Sequence, residues 1–576
     1  MKKVICALMA AIISTGCMGG LTKVNGVDTL SYDKSAEQIA AYAKRAGYRD
    51  MFEDVPDTSS DYSSPTLTSL PDISTVPVAV QGSGQINITV LTATERATPP
   101  ENASQSKDDW INLVGERFNR EQYKINGKTV SVTIYACASG LAMDLIAAGR
   151  ASDGFTPVGY NPSTMLWIDM LKAKGIEIEV IAEATAGNTV GIVMHPEEAS
   201  RFKTQYGDVT IKNVITAVTA GDLQLSMTDP FRSSTGITAL QEIMYQINPA
   251  DPFGDGAVAE LERFLSYVPP VAVTTGQLRN ILNLGVINAA FMEYQSFAQS
   301  PQLSQWEFYP FSRHDGPMAV LGSATEEERQ ALEFYTEYLK GSEAQKEASA
   351  RYFNALNDFE GNPARMNGEQ LMLAQATWKR KKDALVPTVF FFVFDTSGSM
   401  RDTIEGRSKL SVLVDAVLNN LNYINENNYI GMISYSDGVY LNLPIVQATP
   451  RNKAVMAYAV RNLEADGGTA THDAVFVACD QILKFQQTAS STKPVVLLLS
   501  DGEQNQGVSL EDTLPSIYGI GIPIQAIGYH IEEGGKVKLQ KLVGIYGDGF
   551  EGMGSYTSAS EYELDMKLRD LFNSQG

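Results

Sequence analysis

Three short segments, far apart in the sequence, carry oxygen atoms of the kind a hard cation takes as ligands. Asp395-Thr396-Ser397-Gly398-Ser399-Met400 follows a continuously apolar run from Val389 to Phe394. Gly467-Gly468-Thr469 and Ser500-Asp501-Gly502 come later, the second directly after another apolar run. Ser397, Ser399 and Thr469 would supply hydroxyl oxygens, while Asp395 and Asp501 would neutralise charge directly or through water. Mg2+, or Mn2+ or Ca2+ in its place, suits such a set, because these ions prefer oxygen and keep waters or open positions when few carboxylates hold them. With so little protein charge on it, the ion would stay electrophilic and keep a position open for a further oxygen ligand.

The elements that must position these residues are legible. A run apolar on both faces reads as a central parallel strand covered by helices on both sides, so Asp395 falls at its carboxyl end. Further strands are expected at Tyr429 to Tyr435, Pro494 to Leu499 and Ile522 to Gly528, separated by helices at Leu410 to Ile424 and Ala474 to Phe485. That alternation predicts a doubly wound sheet, with sites beyond the carboxyl ends of the strands. From Pro387 to the C-terminus the chain resembles the von Willebrand factor type A (VWA) family, whose metal-ion-dependent adhesion site (MIDAS) is the Asp-x-Ser-x-Ser motif with two companions of the kind seen in this sequence. The resemblance implies a Rossmann-like fold for 387–576 and a metal held by Asp395, Ser397, Ser399, Thr469 and Asp501. Phosphotransferases of the haloacid dehalogenase type also place an Asp after a buried strand, but they need a second Asp two residues on, where Ser397 stands.

A second α/β texture precedes this one. Strands are expected at Ile86 to Leu91, Val130 to Tyr135 and Asn188 to Met194, and helices at Trp110 to Phe118 and Gly140 to Ala148, which argues for a largely parallel sheet. Ser139-Gly140 opens one helix, and Met227-Thr228-Asp229-Pro230-Phe231-Arg232-Ser233-Ser234-Thr235-Gly236 opens another. Such starts offer free N–H groups, hydroxyls and the positive end of a helix dipole, which suits an oxyanion or carboxylate. The plain alternative is that these Ser and Thr residues only cap their own helices. Together with the closing helices around Phe334 to Leu339 and Glu343 to Gln345, these motifs resemble type II periplasmic (extracellular) solute-binding proteins over residues 85–356. The resemblance implies two lobes joined by crossing strands, with a cleft for a small anionic solute lined by Thr94, Ser139, Gly140, Ser233, Ser234, Thr235 and Glu293. Glu95 and Arg232 are further candidates for reading its charge.

The chain's opening implies an address. Lys2 and Lys3, the apolar run Val4 to Ile13 and small residues before Cys17 read as a signal peptide over residues 1–16. They resemble a bacterial lipoprotein signal with lipid on Cys17, although Ser14 stands where an aliphatic residue is usual. Met18 is compatible with outer-membrane sorting. The mature N-terminal segment, 17–55, holds one helical pattern, Ser35 to Ala46, without an evident role. A Ser/Thr/Pro-rich stretch, 56–84, reads as a linker, and 357–386 as a connecting segment with the basic cluster Lys379 to Lys382. Only Cys137 and Cys479 lie beyond the lipidated position, which excludes a disulfide framework. A net charge of −22 disfavours phosphate backbones, so no nucleic acid is expected as a partner. Four histidines, none in a zinc-protease or hydrolase motif, and the lack of a Walker-type loop argue against an enzyme; His472, beside the Thr469 loop, reads as a supporting or surface residue. The sequence therefore predicts a lipid-anchored protein of the bacterial cell envelope, on the outer membrane or periplasmic face in a Gram-negative cell, that binds a protein through a divalent metal. A transport receptor for a small solute and a metal-dependent hydrolase are the alternatives.

Overall fold

The computed structural model describes residues 23–24, 27–53, 76–98, 109–149, 157–268, 278, 282, 287–354, 365–404, 406–489, 492–501, 504–543, 555–559, 564, 567–569 and 571–572. Cys17 and residues 1–16, expected to be a signal peptide, lie outside them. The chain divides into two compact units, one of residues 70–279 and 287–379, the other of residues 1–69, 280–286 and 380–576.

Among its described residues the first unit has two sheets. In one, strand Ile86–Thr92 runs parallel to Lys128–Ala136 and Gly159–Asn161, and Met318–Leu321 and Ile178–Ala182 extend it antiparallel. Alternate residues Ile88, Val90, Val132 and Ile134 enter a core with Trp110, Val114 and Phe118 of helix Trp110–Glu121 and Leu332 and Tyr335 of helix Glu326–Lys340. The second sheet orders Leu225–Ser226, Ala289–Glu293, Asn188–Met194 and Glu307–His314, and only its first pair is parallel. The expectation of a largely parallel sheet is thus corrected for this lobe. The chain enters it along Asn188–Met194 and leaves along Glu307–His314, so those neighbours run in opposite directions. The crossings at 183–187 and 315–317 join the lobes as expected. Strand Val78–Val80 pairs with Lys128–Ala136 and buries Ala79 and Val80, so this part of the stretch expected to be linker belongs to the sheet.

The second unit is the doubly wound sheet. Its order is Ser555–Ala559, Ile524–Tyr529, Lys493–Ser500, Thr388–Asp395, Tyr429–Tyr435, Val439–Gln447 and Arg49–Asp50. All neighbours are parallel except Tyr429–Tyr435 with Val439–Gln447. The central strand Thr388–Asp395 is buried throughout. Phe390, Phe392 and Phe394 pack on one face with Leu413, Val417 and Phe572, and Val389, Phe391 and Val393 on the other with Val475, Ile482 and Ile517.

The last strand in that order comes from the other end of the chain. Helix Tyr32–Ala46 buries Ile39 and Ala43 in the core shared with Val475 and Ile517, and Tyr42 stacks on Phe476 at 4.6 Å between ring centroids. Leu30 N–H donates to the Pro515 carbonyl, Met51 N–H donates to the Leu441 carbonyl, and Arg49 and Asp50 pair with Tyr440 and Leu441. A boundary at Pro387 therefore leaves out part of this domain, because the N-terminal arm completes its sheet and covers one helical layer.

Candidate functional site

The loops after Thr388–Asp395 and Lys493–Ser500 bring Asp395, Ser397, Ser399 and Asp501 together at the carboxyl ends of adjacent strands. Asp395 is fully buried, accepting from Ser397 N–H (2.9 Å), the Ser500 hydroxyl (2.6 Å) and the Tyr435 hydroxyl (3.2 Å). Burial holds its carboxyl above the ordinary Asp range, and the charge of Asp501 adds to the rise against the hydrogen bonds of Ser397 and Ser500. The hydroxyls of Ser397 and Ser399 stand 3.1 Å apart, and Ser399 donates to Asp501 Oδ1 at 2.8 Å. Thr469 lies on a neighbouring loop, tied to the first by Gly398 N–H to the Gly467 carbonyl and Asp466 N–H to the Thr396 carbonyl. Thr469 N–H donates to Asn505 Oδ1 at 2.9 Å, and its carbonyl accepts from Asn505 N–H.

Several contributors had no signal in the motifs. Asp437, in the turn between two strands, accepts from Gly468 N–H (2.7 Å) and the Gln506 amide (2.6 Å). Gly467 has φ +79°, and a Cβ on it would collide with the Asp437 carboxylate, so the glycine follows from close approach as well as backbone conformation. Lys409 Nζ lies 2.6 Å from Asp501 Oδ2. His472 is buried, not on the surface; its Nδ1–H donates to the Val508 carbonyl at 2.8 Å, and burial lowers its pKa.

The five residues singled out by the sequence offer oxygen alone, three hydroxyls and two carboxylates, and both carboxylates are buried. Among the described residues no group of three or more His, Cys, Asp or Glu could hold a metal.

The expected solute cleft of the first unit looks different. Thr94 is exposed, whereas Ser139, Gly140, Ser233, Ser234, Thr235 and Glu293 are buried. The helix start at Ser139-Gly140 faces the loop before Ser233 directly: Gly140 N–H donates to the Arg232 carbonyl at 3.2 Å, and a Cβ on Gly140 would strike the Phe231 carbonyl. Arg232 pairs with Asp144 at 2.9 Å, and the Trp167 indole donates to Ser234 Oγ at 2.9 Å. Ser233 caps its own helix through Gly236 N–H and takes a hydrogen bond from Thr228. Glu293 stands apart from these, 2.5 Å from His314 Nδ1, whose Nε2 meets Thr238 Oγ1 at 3.0 Å. Arg96, overlooked beside Glu95, is buried on Asn161, Thr185 and the Ala186 carbonyl. Burial lowers its pKa to about 10, against the charges of Glu293, Asp315 and Glu95. A cavity of about 480 Å3 in this unit is lined by Gln81, Asn87, Thr89, Thr133, Tyr135 and Glu328 among others, and by none of the residues expected to hold a solute.

Residues 390–504 match the family model of the von Willebrand factor type A domain. The C-terminal region is a VWA domain. The chain is also similar to the collagen alpha-4(VI) chain of Mus musculus, 24% identical over 169 residues, or 29% of this chain and 7% of that one. The solved structure of a von Willebrand factor type A from Catenulispora acidiphila is 20% identical over 33% of this chain and 42% of its own, with a TM-score of 0.27. This chain therefore spans less than half the length of either relative. The periplasmic binding protein AfuA from Actinobacillus pleuropneumoniae, solved with exogenous fructose-6-phosphate bound, is 12% identical over 51% of this chain and 98% of its own, with a TM-score of 0.38.

Proposed function

We propose that this protein is a non-enzymatic lipoprotein of the bacterial cell envelope that engages a protein partner through a divalent cation held by its VWA domain. The observation that carries the reading is the convergence of Ser397, Ser399, Asp395 and Asp501 at the ends of two adjacent strands. Ser397, Ser399 and Thr469 would hold Mg2+, or Mn2+ or Ca2+, through hydroxyl oxygens, with Asp395 and Asp501 balancing charge directly or through water. Once bound, the cation supplies an electrophilic position for a Glu or Asp carboxylate of the partner. Ser500 and Tyr435 keep the Asp395 carboxylate oriented by donating to it, and Asp437 and Asn505 hold the Thr469 loop in place. Lipid on Cys17 would anchor the chain, each buried methylene adding roughly 0.8 kcal/mol.

The rival reading is a solute receptor. The seating of Gly140 on the Phe231-Arg232 backbone weighs against it, since the N–H that would meet an anion already serves the protein. Metal-dependent hydrolysis, the third reading, requires turnover that Asp395→Ala abolishes. The test is calorimetric titration of the mature chain with Mg2+ and Mn2+ beside a Ser397→Ala/Asp501→Ala variant, followed by a thermal-shift screen of metabolites. Saturable binding lost in the variant, with no solute hit, supports the adhesion reading; no metal binding with a clear solute hit replaces it by the receptor.

A further inference from the structure

Lys409 is oddly placed for the helix it begins. It is the first residue of Lys409–Asn420, which has no acidic residue in its first turn, so its ammonium opposes the positive end of the helix dipole. The side chain is nevertheless only 11% exposed, drawn inward to Asp501 Oδ2 at 2.6 Å, while the Asp501 side chain has no exposure at all. With Ser399 donating to Oδ1, both oxygens of Asp501 are engaged. The Lys409 backbone is fixed as well, its N–H donating to the Asp402 carbonyl at 3.0 Å in the turn that follows Ser399.

We infer that Lys409 is a specificity-determining residue of the VWA site, a resident cation that sets its charge balance; this rests on the site's holding a divalent metal, as proposed. Asp395 and Asp501 carry two negative charges and Lys409 one positive charge. A divalent ion added to that set leaves one positive charge over, whereas without Lys409 the set would be neutral. The excess weakens the hold on the metal alone and strengthens the demand for an incoming carboxylate. Metal and acidic partner therefore bind cooperatively, and the metal is held firmly only when an anionic ligand accompanies it. When no metal is bound, the ammonium keeps Asp501 from standing buried and uncompensated, a situation costly to the fold.

The test is calorimetric titration of the full mature chain with Mn2+, with and without saturating acetate, for the native protein, Lys409→Met and Lys409→Arg. Lys409→Met is expected to bind Mn2+ about tenfold more tightly than the native protein, the order that one partly screened neighbouring charge supplies. Acetate should strengthen Mn2+ binding several-fold in the native protein and in Lys409→Arg, and much less in Lys409→Met. Should Lys409→Met melt below the assay temperature, Lys409→Gln carries the same comparison without the charge. Equal or weaker Mn2+ affinity in the neutral variants, or an unchanged acetate effect, overturns the role of Lys409 alone. Absence of Mn2+ binding by the native chain overturns that role and the metal reading together.

Discussion

The N-terminal arm makes a quantitative claim about stability that one substitution tests. Ile39 has no exposed surface in the VWA core, although about 350 residues separate it from its neighbours of the central strand, a separation tolerable because the cost of loop closure grows only slowly with length. Removing three of its carbon atoms in Ile39→Ala costs the lost transfer energy and leaves a cavity, together about 3 kcal/mol. For a domain of this size each kcal/mol lowers the melting temperature by about 2–4 °C, so a fall of about 6–12 °C is expected. The assay can assign the loss to one unit, because all four tryptophans, Trp110, Trp167, Trp306 and Trp378, lie in the two-lobed unit. Scanning calorimetry reports both transitions and tryptophan fluorescence only one. The transition silent in fluorescence should move and the other should stay. If Ile39→Ala leaves that silent transition in place, the arm is not part of the VWA core and the domain begins at Pro387 after all.

Three further outcomes are expected. Metal removal with a chelator should leave the far-ultraviolet circular dichroism unchanged, while Mn2+ at a hundredfold excess over its Kd should stabilise the VWA transition by about 2.7 kcal/mol in calorimetry. Because burial lowers the His472 pKa in the folded state, its contribution is fully present above the unfolded value of about 6.5 and is lost as pH falls from there through the folded pKa. Melting curves from pH 7.5 to 5 should show that loss in the native protein and a flatter profile in His472→Asn. Gly140→Ala drives a methyl group into the Phe231 carbonyl and should destabilise the two-lobed unit by about 1–3 kcal/mol, read as a lower tryptophan-reported midpoint in urea; an unchanged midpoint would mean the lobes are not seated on each other at this point.

Much of this was written in local pattern. The strands at Asn188–Met194 and Tyr429–Tyr435 appear where continuous apolar runs put them, and the Asp395 and Asp501 loops follow from strand ends that a parallel sheet must align. What stayed hidden depends on distance through space. Arg49–Asp50 is too short to have a period, and its pairing is decided by the edge it meets. Val439–Gln447 contains Pro444, which disguises a strand that keeps its pairing by shifting register. A Ser-Gly helix start reads the same whether its N–H groups await an anion or, as at Gly140, a carbonyl of the opposite lobe. Lys409 did leave a trace, a cation where the helix dipole disfavours one, although only the fold says which carboxylate draws it in.

The arm also dictates an order of events. It is synthesised before the rest of its domain, yet its edge partner, Val439–Gln447, emerges after the whole two-lobed unit, and the strand Lys493–Ser500 later still. Domains generally fold as units, and this one cannot close its sheet until its late strands are present. The two-lobed unit, an insertion in the VWA domain, can reach its native state while Ile39, Tyr42 and Ala43 still wait for the surface they will cover. Until Arg49–Asp50 docks, the edge of Val439–Gln447 at Tyr440 and Leu441 is open to foreign strands. A chain cut short before Thr471 would therefore leave Ile39, Tyr42 and Ala43 without the helix they cover.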